Sequence, residues 1–383
     1  MSGKPNLKPA RPWFSSGPTA KRPGWSSQAL SHELLGRGIR APEVVARFAH
    51  GLKLTRELLQ VPADWVLVYV PGSDTGAVEA AMWSMLGERP VQVLAFENFG
   101  KVWATDAKSH LKLEPEVLEA PWGQFPDVSQ VDPKKDLVFP WNGTTSGVKA
   151  PGADWISDDR EGIVICDATS AAFAMPLPWA KLDVVTFSFQ KALGGEAGLG
   201  VAALSPRAVG RLDRYAPPRS VPKVLRLRDD KGFDRTLATG SMINTFSVWT
   251  LEDWIDAVDW ALAAGGLEAL IARTDANAAA LAAWVKRTPW VEYLAETPEI
   301  RSTTSVCLKI VDPRVEAMED DARRALITLM KALVEDEGAA FDIEGHRNAP
   351  AGLRVWCGCT VETADIEALT PWLDWAFETA IAE

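Results

Sequence analysis

The chain has 383 residues and a formal net charge of −11, with 47% hydrophobic and 24% charged residues. This length allows two domains and a sizeable core, and the balance is that of a soluble globular protein. The acidic charge argues against nucleic-acid binding, which needs a basic face, and four cysteines in so long a chain make no disulfide framework.

The first stretch, "MSGKPNLKPARPWFSSGP", has charge and proline but no apolar centre, so it does not read as a signal peptide. No run reaches the roughly 18 apolar residues of a membrane span, and a cytoplasmic protein is expected. Cys357 and Cys359 share one strand face but have no second pair or histidine cluster nearby, so no metal site is expected.

From about residue 42 to 206, helical and strand patterns alternate. "APEVVARFAHGLKLTRELLQ" has helical spacing, and "DWVLVYVPG" is a short apolar run. "TGAVEAAMWSMLGE" reads as a helix closed by Gly87, and "VQVLAF" as the next strand. "DLVFPWNG", "GIVICDATS", "LDVVTFSFQK" and "GVAALSP" continue the series. Runs too apolar to alternate belong to strands covered on both faces, which predicts an α/β fold with a mostly parallel sheet. Residues 207–246, rich in Pro, Arg and Gly, show no clear period. Two long amphipathic helices follow, "SVWTLEDWIDAVDWALAAGG" and "LEALIARTDANAAALAAWVKRT". "TTSVCLKIV", a helix near 317–336, "AAFDIEG", "GLRVWCG" and a last helix from about 361 read as a smaller α+β unit. The expected division is a large domain, residues 1–266, and a small one, residues 267–383.

In an open parallel sheet, ligands sit beyond the carboxyl ends of the strands. Asp167 ends "GIVIC", and Lys191 ends "VVTFSFQ". Asn142, Thr144 and Thr145 follow "LVFPW", while Ser73, Asp74 and Thr75 follow "VLVYVP" at a helix start. An amine, an acid, hydroxyls and a helix N-terminus on one rim match the needs of pyridoxal 5'-phosphate. Its aldehyde condenses with a lysine, its ring nitrogen needs a carboxylate, and its phosphate needs helix N–H groups. Lys191 and Asp167 fit the first two roles, and "SDTGAVEAAMW" supplies the phosphate cup. Trp103, in "NFGKVWATD", is expected to stack on the ring.

"FSSGPT", "PGSDTGAVE", "WNGTTSG", "ICDATSAAF", "FSFQKALGGE", "MINTFS" and "GLRVWCG" occur in this order along nearly the whole chain. With these motifs the chain resembles the phosphoserine aminotransferases, class V members of the fold-type I pyridoxal phosphate enzymes. The resemblance implies a seven-stranded, mostly parallel sheet flanked by helices and a smaller C-terminal α+β domain. It implies transamination between phosphoserine and 2-oxoglutarate, the serine-forming direction running from 3-phosphohydroxypyruvate and glutamate. It makes Lys191 the cofactor lysine and proton carrier, Asp167 the partner of the ring nitrogen, and Trp103 the stacking ring. Thr144 falls near the phenolic side of the ring, and Ser73, Asp74, Thr75 and Gln190 at its phosphate. Asn244 and Thr245 match a pair that reaches the phosphate from the neighbouring subunit of a homodimer. Arg354 aligns with the arginine for the substrate α-carboxylate. Ser16, Arg40, His346 and Arg347 are the other substrate-side residues.

Two departures weaken the match on the substrate side. Where the family reads Ser-His-Arg this chain has Gly38, Ile39 and Arg40, and Leu199 replaces a histidine after the lysine. Both remove polar donors, so a class V aminotransferase acting on another amino or keto acid is the alternative. A cysteine desulfurase is disfavoured because Gln190 stands where those enzymes carry a histidine.

Overall fold

The structure, a computed structural model, describes residues 3–382. Seven strands build the main sheet: β1 (Val66–Pro71), β2 (Val91–Ala95), β3 (Glu116–Glu119), β4 (Asp136–Pro140), β5 (Val164–Asp167), β6 (Val184–Ser188) and β7 (Leu199–Leu204). Their spatial order is β1-β7-β6-β5-β4-β2-β3. Only β7 runs against the rest, pairing antiparallel with both β1 and β6. The six co-directional strands therefore end on one edge, and the loops leaving that edge carry the polar residues singled out above.

The strands are buried on both faces, as their unbroken apolar runs require. Along β1, Leu67 and Tyr69 face a core shared with α1 (Pro42–Leu59), while Val68 and Val70 face one shared with α2 (Ser73–Met85). On the α2 side α3 (Asn98–Thr105) and α4 (Pro206–Arg214) complete the cover. On the α1 side α5 (Val248–Ala263) contributes Trp254, whose ring stacks on Phe189 with centroids 4.2 Å apart. Stacking so close to Lys191 fixes the turn that carries it.

A second antiparallel sheet, β8 (Val291–Tyr293), β9 (Ser305–Ile310) and β10 (Leu353–Trp356), packs with the end of α6 (Gly266–Arg287), α7 (Asp320–Asp336) and α8 (Thr363–Ala380). This core includes Phe14 from the other end of the chain. The N-terminal segment is bonded in place: Phe341 N–H donates to Pro12 O at 2.8 Å, and Trp356 N–H to Phe14 O at 3.1 Å.

Three features depart from the sequence reading. The edge strand β3 was not anticipated, because in "EVLE" only Leu118 is buried and an edge needs no apolar run. Helix α4 opens the stretch read as irregular. Its inward face carries Arg211, fully buried with a bidentate pair on Asp136 at 2.8 and 2.9 Å, so an apolar count misses it. "AAFDIEG" forms isolated bridges rather than a strand.

Candidate active site

The carboxyl edge of the sheet opens into a cavity of about 480 Å³ lined from five strand ends, by residues such as Ser73, Glu97, Asn142, Asp167 and Lys191. Its convergent polar groups have the form of a small-ligand site.

Lys191 leaves the end of β6 and reaches across the cavity floor, where Nζ donates to Ser16 O at 2.6 Å. The N-terminal strap has to pass close by. A Cβ on Gly17 would stand 2.2 Å from Nζ, and the φ of 150° there favours glycine. Burial, and then the positive charge of Arg354, push the Lys191 amine down to about 8, against the opposing pull of Asp167, Asp74 and Glu97. An amine held that low is an available nucleophile and base near neutrality.

Asp167 closes β5. One carboxylate oxygen accepts Thr169 N–H at 3.0 Å and the other accepts the indole N–H of Trp103 at 3.1 Å. Trp103, almost fully buried on α3, thus presents its nitrogen edge to the carboxylate while lining the cavity. Thr144 and Asn142 both donate to Ser170 Oγ at 2.8 Å, which fixes the loop after β4.

The start of α2 has the form of an anion cradle. Gly72 and Ser73 both adopt left-handed backbone, with φ of 83° and 62°. The first intrahelical bond is Gly76 N–H to Gly72 O at 3.0 Å, so the N–H groups of Asp74 and Thr75 are left for a ligand. A side chain at Gly76 would collide with Pro71 O, at 1.7 Å from its Cβ. Gln190 donates to Ser73 Oγ, and its own carbonyl oxygen is buried without a partner. Here one assignment needs correction. The Asp74 side chain does not face the cradle mouth; helical geometry turns it toward the sheet, only 4% exposed, against the Asp167 carboxyl. Its backbone N–H, not its carboxylate, belongs to the cradle.

Glu97 escaped the sequence reading. It caps α3, accepting Gly100 N–H at 2.8 Å and Thr145 Oγ–H at 2.7 Å, and it lines the cavity. The available signal was an acid on the rim just after β2, the same position Asp167 holds after β5. Burial pushes its carboxyl up from 4.5 to about 7. Ionised Glu97 therefore destabilises the fold, and the stability of the protonated form is lost as pH rises toward and past 7. Glu97→Gln is expected to be more stable than the wild type at pH 8, by up to about 3 kcal/mol at about 1.4 kcal/mol per pKa unit. The gap should close toward pH 5; thermal melts showing a pH-independent difference would refute this.

On β10, Arg354 stands in register opposite Cys307, and its buried Nε lacks any hydrogen-bond partner. Burial, and then the charges of Arg354 and Arg347, lower the His346 pKa. Ser16 Oγ contacts Ser305 Oγ at 3.2 Å and so ties the strap to β9. Arg40, Asn244 and Thr245 are exposed and do not line the cavity; Asn244 Nδ2 donates only to Thr245 O, at 3.3 Å. Within one chain the structure does not bring these three to Lys191. Leu199 is not a cavity residue either: as the first residue of β7 it points into the core shared with α1 and α5. Its replacement of a histidine removes no donor from the lysine's cavity.

All four thiols are buried, and burial pushes those of Cys307 and Cys359 up to about 12. Such thiols are inert at neutral pH, against desulfurase chemistry. No helix among the described residues is long and apolar enough to cross a membrane.

The cavity fits a pyridine ring with an aldehyde and a phosphate. It offers a lowered amine, a carboxylate at the opposite end, unpaired helix N–H groups, and buried polar atoms without partners on Gln190 and Asn142. No protein-family model matches the chain. A curated phosphoserine aminotransferase of Methanosarcina mazei is 48% identical over 376 residues, covering 98% of this chain and 99% of that protein. Among solved structures, phosphoserine aminotransferase from Bacillus circulans subsp. alkalophilus superposes with a TM-score of 0.79 at 17% identity, over 96% of this chain and 98% of that one. The structure titled as the PLP-bound enzyme of Trichomonas vaginalis gives 0.72 at 19%, over 95% and 100%. The full-length identity with the Methanosarcina protein decides the matter: this chain belongs to the phosphoserine aminotransferase family.

Proposed function

We propose that the protein is a pyridoxal phosphate-dependent aminotransferase that makes phosphoserine from 3-phosphohydroxypyruvate and glutamate, in serine biosynthesis. The observation that carries this reading is the cavity into which Lys191 and Asp167 both converge, with the charge of Arg354 acting on the lysine amine. When bound, the cofactor supplies an aldehyde that receives the amino group and a cationic ring that draws electrons from the substrate Cα.

The protein's own groups then have distinct tasks. Asp167 holds the ring nitrogen positive, and the indole N–H of Trp103 keeps that carboxylate oriented while its ring covers the cofactor. The α2 N-terminus, with Ser73, Thr75 and Gln190, holds the phosphate. Thr144 sits at the phenolic side. Lys191 Nζ, neutral near pH 8, takes the proton from the substrate Cα. Arg354 takes the α-carboxylate by a planar, bidentate contact. His346 and Arg347, with Arg40, bind the distal anion, and Ser16 lines the same side.

The large domain, residues 1–266, carries the cofactor, and residues 267–383 supply Arg354. The exposed positions of Asn244 and Thr245 support a homodimer in which this pair completes the neighbouring site. A cytoplasmic location accompanies this reading. Half-reactions of the purified holoenzyme with phosphoserine, glutamate, aspartate, alanine and serine test it. Phosphoserine and glutamate are expected to bleach the visible cofactor band. If phosphoserine fails while another donor succeeds, the altered Gly38–Ile39 segment marks an enzyme for a different acid.

A further inference from the structure

The mechanism above gives no task to the buried side chain of Asp74, which lines the same cavity. Asp74 is 4% exposed, lies on the first turn of α2, and lines the cavity beside the Asp167 carboxyl. Its Oδ1 and the hydroxyls of Thr169 and Thr186 make no well-formed hydrogen bond; burial and the Asp167 charge push the Asp74 carboxyl up, against a weaker downward pull from those two hydroxyls. Thr186 is the residue that β6 sets level with Asp167. Two carboxylates in contact in a dry environment cannot both be ionised. Asp167 already accepts two N–H donors, from Thr169 and Trp103, which favour its charged form. Asp74 accepts none at Oδ1.

Resting on the cofactor reading, we propose that Asp74 is a positioning residue kept as the neutral acid, donating its proton to Asp167. The pair then carries one negative charge, shared along a hydrogen bond and aimed at the ring nitrogen. The arrangement also keeps a second negative charge away from the phosphate cradle, whose N–H groups include that of Asp74 itself.

The other charged groups around the pair are consistent with this assignment. Burial, and then the charge of Asp167, hold the Asp74 proton well above the usual carboxylate range. Both carboxyls act on Lys191 from β6, with Glu97 from the rim and Arg354 from β10 as the remaining charges on that amine. Cys166, the neighbour of Asp167 on β5, stays a neutral thiol.

The test compares the wild type with Asp74→Asn and Asp74→Ala, each labelled with carboxyl-¹³C aspartate. Infrared difference spectra at pH 7, on apoprotein and holoenzyme, read the carbonyl stretch of a protonated aspartic acid. The band is expected in the wild type and lost in Asp74→Asn. Asparagine can still donate an N–H to Asp167, so the dissociation constant for pyridoxal phosphate should stay within about threefold of wild type. Alanine cannot, and the lost charge-assisted bond predicts affinity weaker by roughly 10- to 150-fold. Absence of the wild-type band, or an asparagine variant as impaired as the alanine one, overturns the proposal. A wild type that takes up no pyridoxal phosphate would instead sink the cofactor reading and with it the positioning role, while the apoprotein band would still report whether Asp74 holds a proton.

Discussion

Lys191→Ala is expected to lower transamination by at least about 1,000-fold and to erase the visible absorption of the holoenzyme. The expectation rests on how the amine is held. Nζ sits 2.6 Å from Ser16 O, and burial with Arg354 brings its pKa to about 8. At pH 7 roughly one amine in ten is then neutral, against fewer than about one in a thousand for an ordinary lysine. Only the neutral amine can attack an aldehyde. Cofactor uptake by the apoprotein should therefore speed up about tenfold per pH unit from pH 6, then level off near 8. Rates that keep climbing toward pH 10 would show that the lowering is absent, and a variant retaining even a few per cent of wild-type turnover would remove Lys191 from the chemistry.

Asp167→Ala is expected to cost at least about 100-fold in turnover, the scale of losing one preorganised electrostatic group, while unfolding changes little. The two outcomes separate for a physical reason. Asp167 lies against Asp74 and acts unfavourably on Glu97 as well. Its removal costs the bonds it makes with Trp103, Thr169 and Asp74 but also takes away a buried negative charge that acts unfavourably on Glu97. Turnover and melting temperature measured on the same preparation decide the point. A variant that loses stability and activity in proportion would make Asp167 a structural residue.

The sheet was legible where strands are covered on both faces, because such strands leave continuous apolar runs like "VLVYV" and "VVTFS". It was illegible at β3, whose one buried residue is Leu118. It was illegible too at α4, where a charged residue fills an interior place: Arg211 is as buried as any leucine because Asp136 neutralises it. At the site, Asp167 and Lys191 could be read from their positions at strand ends. Asp74 could not, because residues 73–75 look alike as a helix start and only three-dimensional winding separates the side chain facing the sheet from its neighbours. Glu97 was passed over for a related reason: its capping bond to Gly100 makes it resemble an ordinary turn acid. Arg40, Asn244 and Thr245 are exposed and lie off the cavity within one chain, and no reading of one chain's periodicity places them at a site.

The strap that carries Phe14, Ser16 and Gly17 has a consequence for how the protein is made. Phe14 is bonded to Phe341 and Trp356, roughly 340 residues downstream. At about 5–20 residues per second, the ribosome needs some tens of seconds to deliver those partners. Until then the carbonyl of Ser16 has no fixed place from which to meet Lys191. The earliest residues translated are among the last to settle, and a nascent chain stopped short of Trp356 would hold its reactive lysine in an unfinished chamber.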